Sequence, residues 1–485
     1  MASVLIFERI IEMDKTEVEA ESQVARREKQ IFVEMPVPKA VAAMVVPTVI
    51  SQLITVIYNL ADTWYVGLTN NAAAVAAISL CLPVYNIMTA SANLFGIGGA
   101  SYIARALGVN NQSGAKKAFA LSLKGALMVS FVYSAVLAII AKPFLMAIGG
   151  DEANIGYAIQ YAWVVLVIGG IPTVLSAVFA HLIRSTGNSN IASFGITLGA
   201  MLNMVLDPLF MFVLLPKGNE VLGAAIATAI SNAVALCFFI IFCIQHKDNG
   251  VYAIFTPKEN TDSSIMKDIV KCGIPSFSLL AIGQVSNFIL NGMIADLGAS
   301  SAVAGIGIVR KIDAIAYAIN QGITQGMLPI VAYCYGSKLI KRMKSVVGFS
   351  TLLTLVFSLL CSSLSYIFAP QLIEFFIRDA ETVYYGTEFL RVLCIAVAIY
   401  PFLFVIIAVF QAVGQSIRPF ILSLLNKGTI DIILLFVIKS LFSTEKILWA
   451  TPISASFALL VGIVSILRFF KKVHFESEPP ANPGA

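Results

Sequence analysis

A chain of 485 residues that is 58% apolar and only 12% charged carries about half the charge of a soluble protein, for which roughly 25% is usual. That composition excludes a soluble globular domain and points to a bilayer. The net charge of +5 is small, and a nucleic-acid partner is not expected.

Residues 1–36 form a charged tail, within which a surface helix over 8–34 is one expectation. Twelve apolar stretches follow, near 40–66, 73–104, 117–142, 153–180, 190–215, 221–245, 266–296, 301–334, 345–370, 382–411, 419–441 and 446–470. Each reaches the roughly 20 residues that a spanning helix needs. The polar segment 246–264 separates them six and six, so two lobes are predicted over 37–245 and 265–472. Residues 473–485 have the composition of a disordered tail.

The chain repeats itself. A shift of 228 residues brings Pro47 onto Pro275, Asn59 onto Asn287 and AAVAAIS (73–79) onto SAVAGIG (301–307). A shift of 227 brings RSTGNS (184–189) onto QAVGQS (411–416). In so apolar a chain, a duplicated half predicts an all-α polytopic fold: two six-helix lobes related by a pseudo-twofold axis along the membrane normal.

Charge gives the orientation. Arg26, Arg27, Lys29, Lys116, Lys258, Lys341, Arg342 and Lys471 stand for a majority of the 32 basic residues, which fall in loops on one face. By the positive-inside rule both termini are expected in the cytoplasm, and a plasma-membrane location is expected. The seven cysteines are scattered without a CxxC pair and read as packing residues. His181, His246 and His474 fall in or beside the basic face and are too dispersed for a metal site. No signal-peptide pattern is evident, no phosphate-binding loop suggests ATP, and no enzymatic activity is expected.

Ionisable groups inside spans are expensive and therefore informative. Asp62 lies in VIYNLAD about five residues, roughly 8 Å, from the outer end of the first span. Asp207 lies in LNMVLDP on the fifth, roughly 12 Å from its outer end, with Asn203 one turn earlier on the same face. Thr228, descending in the sixth, reaches a similar depth. Two carboxylates, an amide and a hydroxyl suit a proton or Na⁺, because two carboxylates in one dry site cannot easily both stay ionised. The plainer reading makes Asp62 a solvated anchor beside Trp64 and Asp207 a partner for backbone freed near Pro208. Pro47 removes a hydrogen bond in the first span, as a hinge or as a static kink.

The second half does not repeat the acids: Leu290 stands opposite Asp62. Its seventh span offers Gln284, Asn287 and Asn291, and its eighth Arg310, Lys311 and Asp313, with Arg310–Asp313 spaced for a pair. Gln284, Asn287, Arg310, Lys311, Gln321 and Gln325 are candidates to line a pathway, or members of a structural network. Lys124 and Lys427 are expected to snorkel toward the basic face. GIGGAS (96–101) and GITQGM (322–327) are expected to let helices approach closely.

Here the motifs become specific. PTVISQLITVIYNLADTWYVG, GIGGASYIARALG, RSTGNS, LNMVLDPLF, GAAIATAISN, QGMLPIVAYCYG and AVFQAVGQS together resemble the multidrug and toxic compound extrusion (MATE) family, over nearly all of residues 37–470. The resemblance implies two six-helix lobes around a cleft, alternating access, and export of small amphiphilic or cationic organic compounds against H⁺ or Na⁺. No other cofactor is implied, and a monomer is expected. In the prokaryotic branch, the coupling positions match Asp62, Asn203, Asp207 and Thr228. Another branch binds Na⁺ through acids in the seventh and tenth spans, and the seventh here lacks one. The tail of about 36 residues before the first span is longer than the family leads one to expect. A lipid-linked saccharide flippase of related architecture is the alternative function; it would need a strongly basic cavity. A passive channel or structural membrane protein is the third.

Overall fold

A computed structural model describes residues 28–69, 71–247, 251–255, 263–296, 300–442 and 444–477. Among the described residues the fold is built on twelve long helical segments, each corresponding to an expected span. In the first lobe they are α1 (Val37–Gly67), α2 (Ala72–Gly108), α3 (Gln112–Ala147), α4 (Ile155–Ile168 and Gly170–Ser185, bent by 47°), α5 (Ser189–Leu214) and α6 (Glu220–Gln245). In the second they are α7 (Ser263–Ala295), α8 (Ser300–Gly336), α9 (Ile340–Ile367), α10 (Ala380–Ala412), α11 (Ile417–Leu441) and α12 (Ala450–Ser477). Ten helices, and the bent pair of α4 as an eleventh, are long and apolar enough to cross a membrane. The 37-residue α8 falls outside that set. Arg310, Lys311 and Asp313, with Asn320, Gln321 and Gln325, dilute its apolar character.

Local chemistry sets the helix ends. Pro36 precedes α1, with Pro38 in its first turn, where a missing N–H costs nothing. Asn71, Asn111 and Asp379 cap α2, α3 and α10 by accepting from the backbone N–H three residues on. Gly187 of RSTGNS and Gly414 of QAVGQS occupy matching turns at φ +83° and +80°, a conformation that leaves room for no other residue without strain. α1 runs as one helix through Pro47. Its turn there is stapled to α5, since Thr48 Oγ1 and Ser189 Oγ both donate to Met44 O at 2.7 Å.

The lobes meet along α1 with α8 and α2 with α7, through backbone contacts that only glycine permits. A Cβ on Gly98 would strike the Ile269 carbonyl, one on Gly273 the Leu94 carbonyl, and one on Gly336 the Arg105 carbonyl. Gly322 and Gly326 face the α1 backbone at Val49 and Val45. All these approaches lie in the half of the bundle nearer the termini. There Ser101 Oγ also donates to Gln411 O (2.5 Å), and Gln411 Nε2 to Ser276 Oγ (2.7 Å). The expected packing role of both glycine clusters is what the geometry displays.

The ends of the chain differ from expectation. Residues 1–27 lie outside the described residues; 28–34 are helical, but one face of that helix is buried rather than lying on the surface. A short π-helix, Gln30–Glu34, inserts between the lobes, with Phe32 fully buried and its ring tilted 40° to that of Tyr333, centroids 5.0 Å apart. Arg342 fastens it by donating to Phe32 O and Met35 O (2.6 Å each) and to Ile31 O (3.3 Å). On the other side, Gly187 lies within van der Waals reach of Ile31 and Phe32. In the linker, Val251 and Tyr252 are buried, and Tyr252 Oη accepts from Asn188 Nδ2 at 2.6 Å. Apolar side chains in two segments read as polar explain both differences. α12 continues to Ser477, so the part of the expected tail from 473 to 477 is helical.

Candidate functional site

Two of the chambers between the helices matter here, one lined mostly by the first lobe and one mostly by the second. The first, of about 290 Å³, is walled by polar side chains from α1, α2, α4, α5, α6 and α8, among them Gln52, Tyr58, Asn93, Asn203, Thr228 and Gln325. The second, of about 430 Å³, is walled by Gln284 and Asn287 from α7, Arg310 and Asp313 from α8, Tyr400 from α10 and Lys427 from α11. Leu280 and Tyr317 line both, so the chambers adjoin.

In the first lobe, α5 and α6 bring three expected residues together. Asn203 Nδ2 donates to Asp207 Oδ1 (3.1 Å) and to Thr228 Oγ1 (3.3 Å). Asn203 and Thr228 face the chamber, and Asp207, fully buried, sits behind them. Directly after Asp207, Pro208 lacks an N–H and its ring crowds the preceding turn; the helix widens to π geometry over Leu209–Leu214. Asp62 lies one turn beyond Tyr58 on the same face of α1 and within electrostatic range of Asp207 and Tyr161. Asp62 makes no hydrogen bond to the other three.

The electrostatics of this group are unbalanced in one direction. Asp62 Oδ1, Asp207 Oδ2 and Asn203 Oδ1 are buried acceptors without a donor. A buried carboxylate without a partner is costly, by several kcal/mol. Three unmet oxygens therefore favour anything that brings positive charge, a proton or a small hard cation. Among the described residues no cluster of three or more His, Cys, Asp or Glu could hold a metal. A cation here would rely on amide and hydroxyl oxygens beside the two carboxylates.

The remaining candidates divide between the chambers. Gln284 accepts from Asn86 Nδ2 (3.1 Å) across the lobe boundary, and it lines the second chamber with Asn287 and Arg310. Gln325 accepts from Gln52 Nε2 (3.1 Å) and Arg184 Nη1 (3.3 Å), and Gln321 donates to Tyr317 Oη (2.7 Å). Both glutamines line the first chamber. Lys311, half-buried, is not among the residues lining either.

Two expectations need correction. Arg310 and Asp313 form no ion pair: Tyr400 Oη, from α10, donates to Asp313 Oδ1 at 2.9 Å instead. Lys427 does not snorkel to the basic face but lines the second chamber, because α11 breaks at Gly428 and ends its first half there. His181 lies against Gly96 and lines the first chamber. Sequence reasoning also missed Asp431, which is 1% exposed and accepts from Ser286 Oγ and, at 3.0 Å, from Ser454 Oγ. The 228-residue shift, which sets it opposite Asn203, was the signal that could have found it.

Comparison with known proteins agrees with this architecture. The chain is 28% identical to the multidrug export protein MepA of Staphylococcus haemolyticus (strain JCSC1435) over 442 residues, 90% of this chain and 95% of that one. It is 28% identical to MepA of Staphylococcus aureus (strain NCTC 8325 / PS 47) over 439 residues, with the same coverage. In fold it is similar to a multidrug resistance MATE family transporter of the MOP superfamily in an outward-facing conformation, with TM-score 0.84, 24% identity, and coverage of 92% of this chain and 98% of that one. A MATE structure in the straight conformation gives TM-score 0.85 at 24% identity and the same coverage. The MatE family model matches twice, at residues 47–209 and 275–437, which is the 228-residue repeat recovered independently. With both halves matched and the two lobes folded as that duplication requires, this integral membrane protein belongs to the MatE family of transporters.

Proposed function

We propose that the chain is a secondary active multidrug exporter, antiporting amphiphilic or cationic organic compounds against H⁺ (or Na⁺) by alternating access, with the ion taken up in the first lobe. The observation that carries this reading is the set of donor-less buried oxygens on Asp62, Asn203 and Asp207 beside a polar chamber. The relatives named multidrug export proteins support the substrate class.

The physical logic is one of charge burial. With its acids ionised, the group is favoured in a shape that admits water, because a sealed, unpaired carboxylate is costly. Taking up a proton or Na⁺ removes that cost and permits closure around the site. Release on the other side restores the charge and returns the lobes. α1, one continuous helix in this structure, carries Asp62, and its bending at Pro47 on ion uptake is the step that couples the site to the shape of the cleft. Basic residues crowd the end that holds both termini, so that end faces the cytoplasm of a plasma membrane. The glycine-sealed half then faces inward and the cleft opens outward. The protein acts as a monomer.

Efflux from proteoliposomes under a pH gradient and a Na⁺ gradient, imposed separately, tests the reading. Dependence on one of them is expected, and dependence on neither overturns it. Pro47→Ala should slow efflux at least tenfold; an unchanged rate removes the hinge.

A further inference from the structure

The second chamber has the opposite chemistry to the first. Its wall carries two cations, Arg310 and Lys427, and one carboxylate, Asp313. Neither cation is in an ion pair, since the ion pairs among the described residues are Arg391–Glu388 and Lys439–Asp296. Asp313 already accepts from Tyr400 Oη. Asn426, only 1% exposed, lines the same wall with neither its amide oxygen nor its amide nitrogen partnered. Next to it α11 is broken at Gly428 (ψ −110°), so the positive N-terminal end of the second half-helix starts beside Lys427.

Two cations against one carboxylate, with an unpartnered amide beside them, leave this wall with an excess of positive charge inside the spans, the reverse of the first lobe. The chamber volume of about 430 Å³ suits a small organic molecule. Leu280 and Phe404 supply apolar surface, and Leu280 continues into the first chamber. A ligand can thus present a cationic end toward the carboxylates of the first lobe and an oxyanion to the second.

We propose that the second-lobe chamber is an oxyanion subsite, in which Arg310 and Lys427, assisted by Asn426, receive the acidic group of a zwitterionic amphiphile. The proposal rests on the exporter reading and narrows its substrate class. The shared chemistry is an oxyanion on an amphiphile, which either a soluble carboxylate compound or an anionic phospholipid can bring.

Equilibrium binding to the purified full-length protein in nanodiscs tests it with a matched pair: a tertiary-amine aryl carboxylate and its methyl ester, which keeps the cation and loses the oxyanion. In phosphatidylcholine the carboxylate should bind at least tenfold more tightly than the ester. Lys427→Gln and Arg310→Gln should each bring that ratio near one, and Lys427→Arg should restore most of it. If adding phosphatidylglycerol weakens carboxylate binding tenfold in the wild type but not in Lys427→Gln, the lipid is the occupant; no such competition assigns the subsite to the soluble compound. A wild-type ratio near one with both compounds bound, or a ratio unmoved by either glutamine variant, overturns the subsite and leaves the exporter reading standing. Binding of neither compound overturns both.

Discussion

The two lobes share a backbone plan and differ in how their buried acids are met. In the first, Asp62 and Asp207 each keep a buried oxygen without a donor. In the second, Asp431 is met by two serine hydroxyls from α7 and α12, and Asp313 by a tyrosine from α10. Opposite Asn203 stands Asp431, and opposite Asp62 stands Leu290, at the same 228-residue shift that relates the two family matches. Duplication therefore preserved the scaffold while moving the unmet charge. In the first lobe each acid keeps one oxygen without a donor, and in the second two cations share a wall with a single carboxylate, Asp313. A carboxylate left with a buried oxygen that no donor meets has a stronger reason to take up a proton or a cation than one without such an oxygen.

The largest test of that contrast exchanges one acid in each lobe. Asp207→Asn is expected to reduce gradient-driven efflux at least a hundredfold in proteoliposomes while the protein stays folded. Asp431→Asn should instead lower stability by about 2 kcal/mol, through weakened charge-assisted hydrogen bonds, with coupled efflux within twofold of wild type. Equal loss of efflux in both variants would erase the distinction between the lobes.

The seam between them is the next place to press. Gly273→Val drives a side chain into the Leu94 backbone, and destabilisation on the order of 3 kcal/mol, or loss of folded protein, is expected from thermal denaturation in detergent. A milder change is expected where residues 28–35 bridge the lobes. Arg342→Ala removes three donors to that segment, and hydrogen exchange there should accelerate on the order of tenfold to a hundredfold.

The smallest expected effect is a pH dependence at the same bridge. Glu28 is buried with one carboxyl oxygen unpartnered, and burial pushes it up from an ordinary 4.5 to about 8. The docked segment prefers the protonated acid, so docking is fully favoured below about pH 4.5 and weakens as pH rises through the window to about 8. Exchange of residues 28–35, corrected for its intrinsic pH dependence, should rise across that window. Glu28→Gln should flatten the curve, and a curve unchanged in that variant would assign the effect elsewhere.

Much of the first-lobe group was legible because its members sit at countable depths on neighbouring helices. Asn203 and Asp207 share a face by spacing, and Thr228 follows after one turn of the chain. Arg310 and Asp313 share a face by the same rule, yet Tyr400, 87 residues away, takes the carboxylate. A spacing rule names who can meet within one helix and cannot weigh a competitor from another. The expectation for Lys427 failed for a related reason: it took 419–441 as one unbroken span, and α11 breaks at Gly428. The bridge at 28–35 was invisible because its anchor, Arg342, lies more than 300 residues along the chain.

By itself the sequence determined the solvent, the twelve spans and the duplication, because each is a property of composition, length and periodicity along one dimension. Only the tertiary structure decided which buried charges are met and which are left bare. That depends on donors brought from other helices over a few ångströms, and one tyrosine or serine at the right place reverses the outcome.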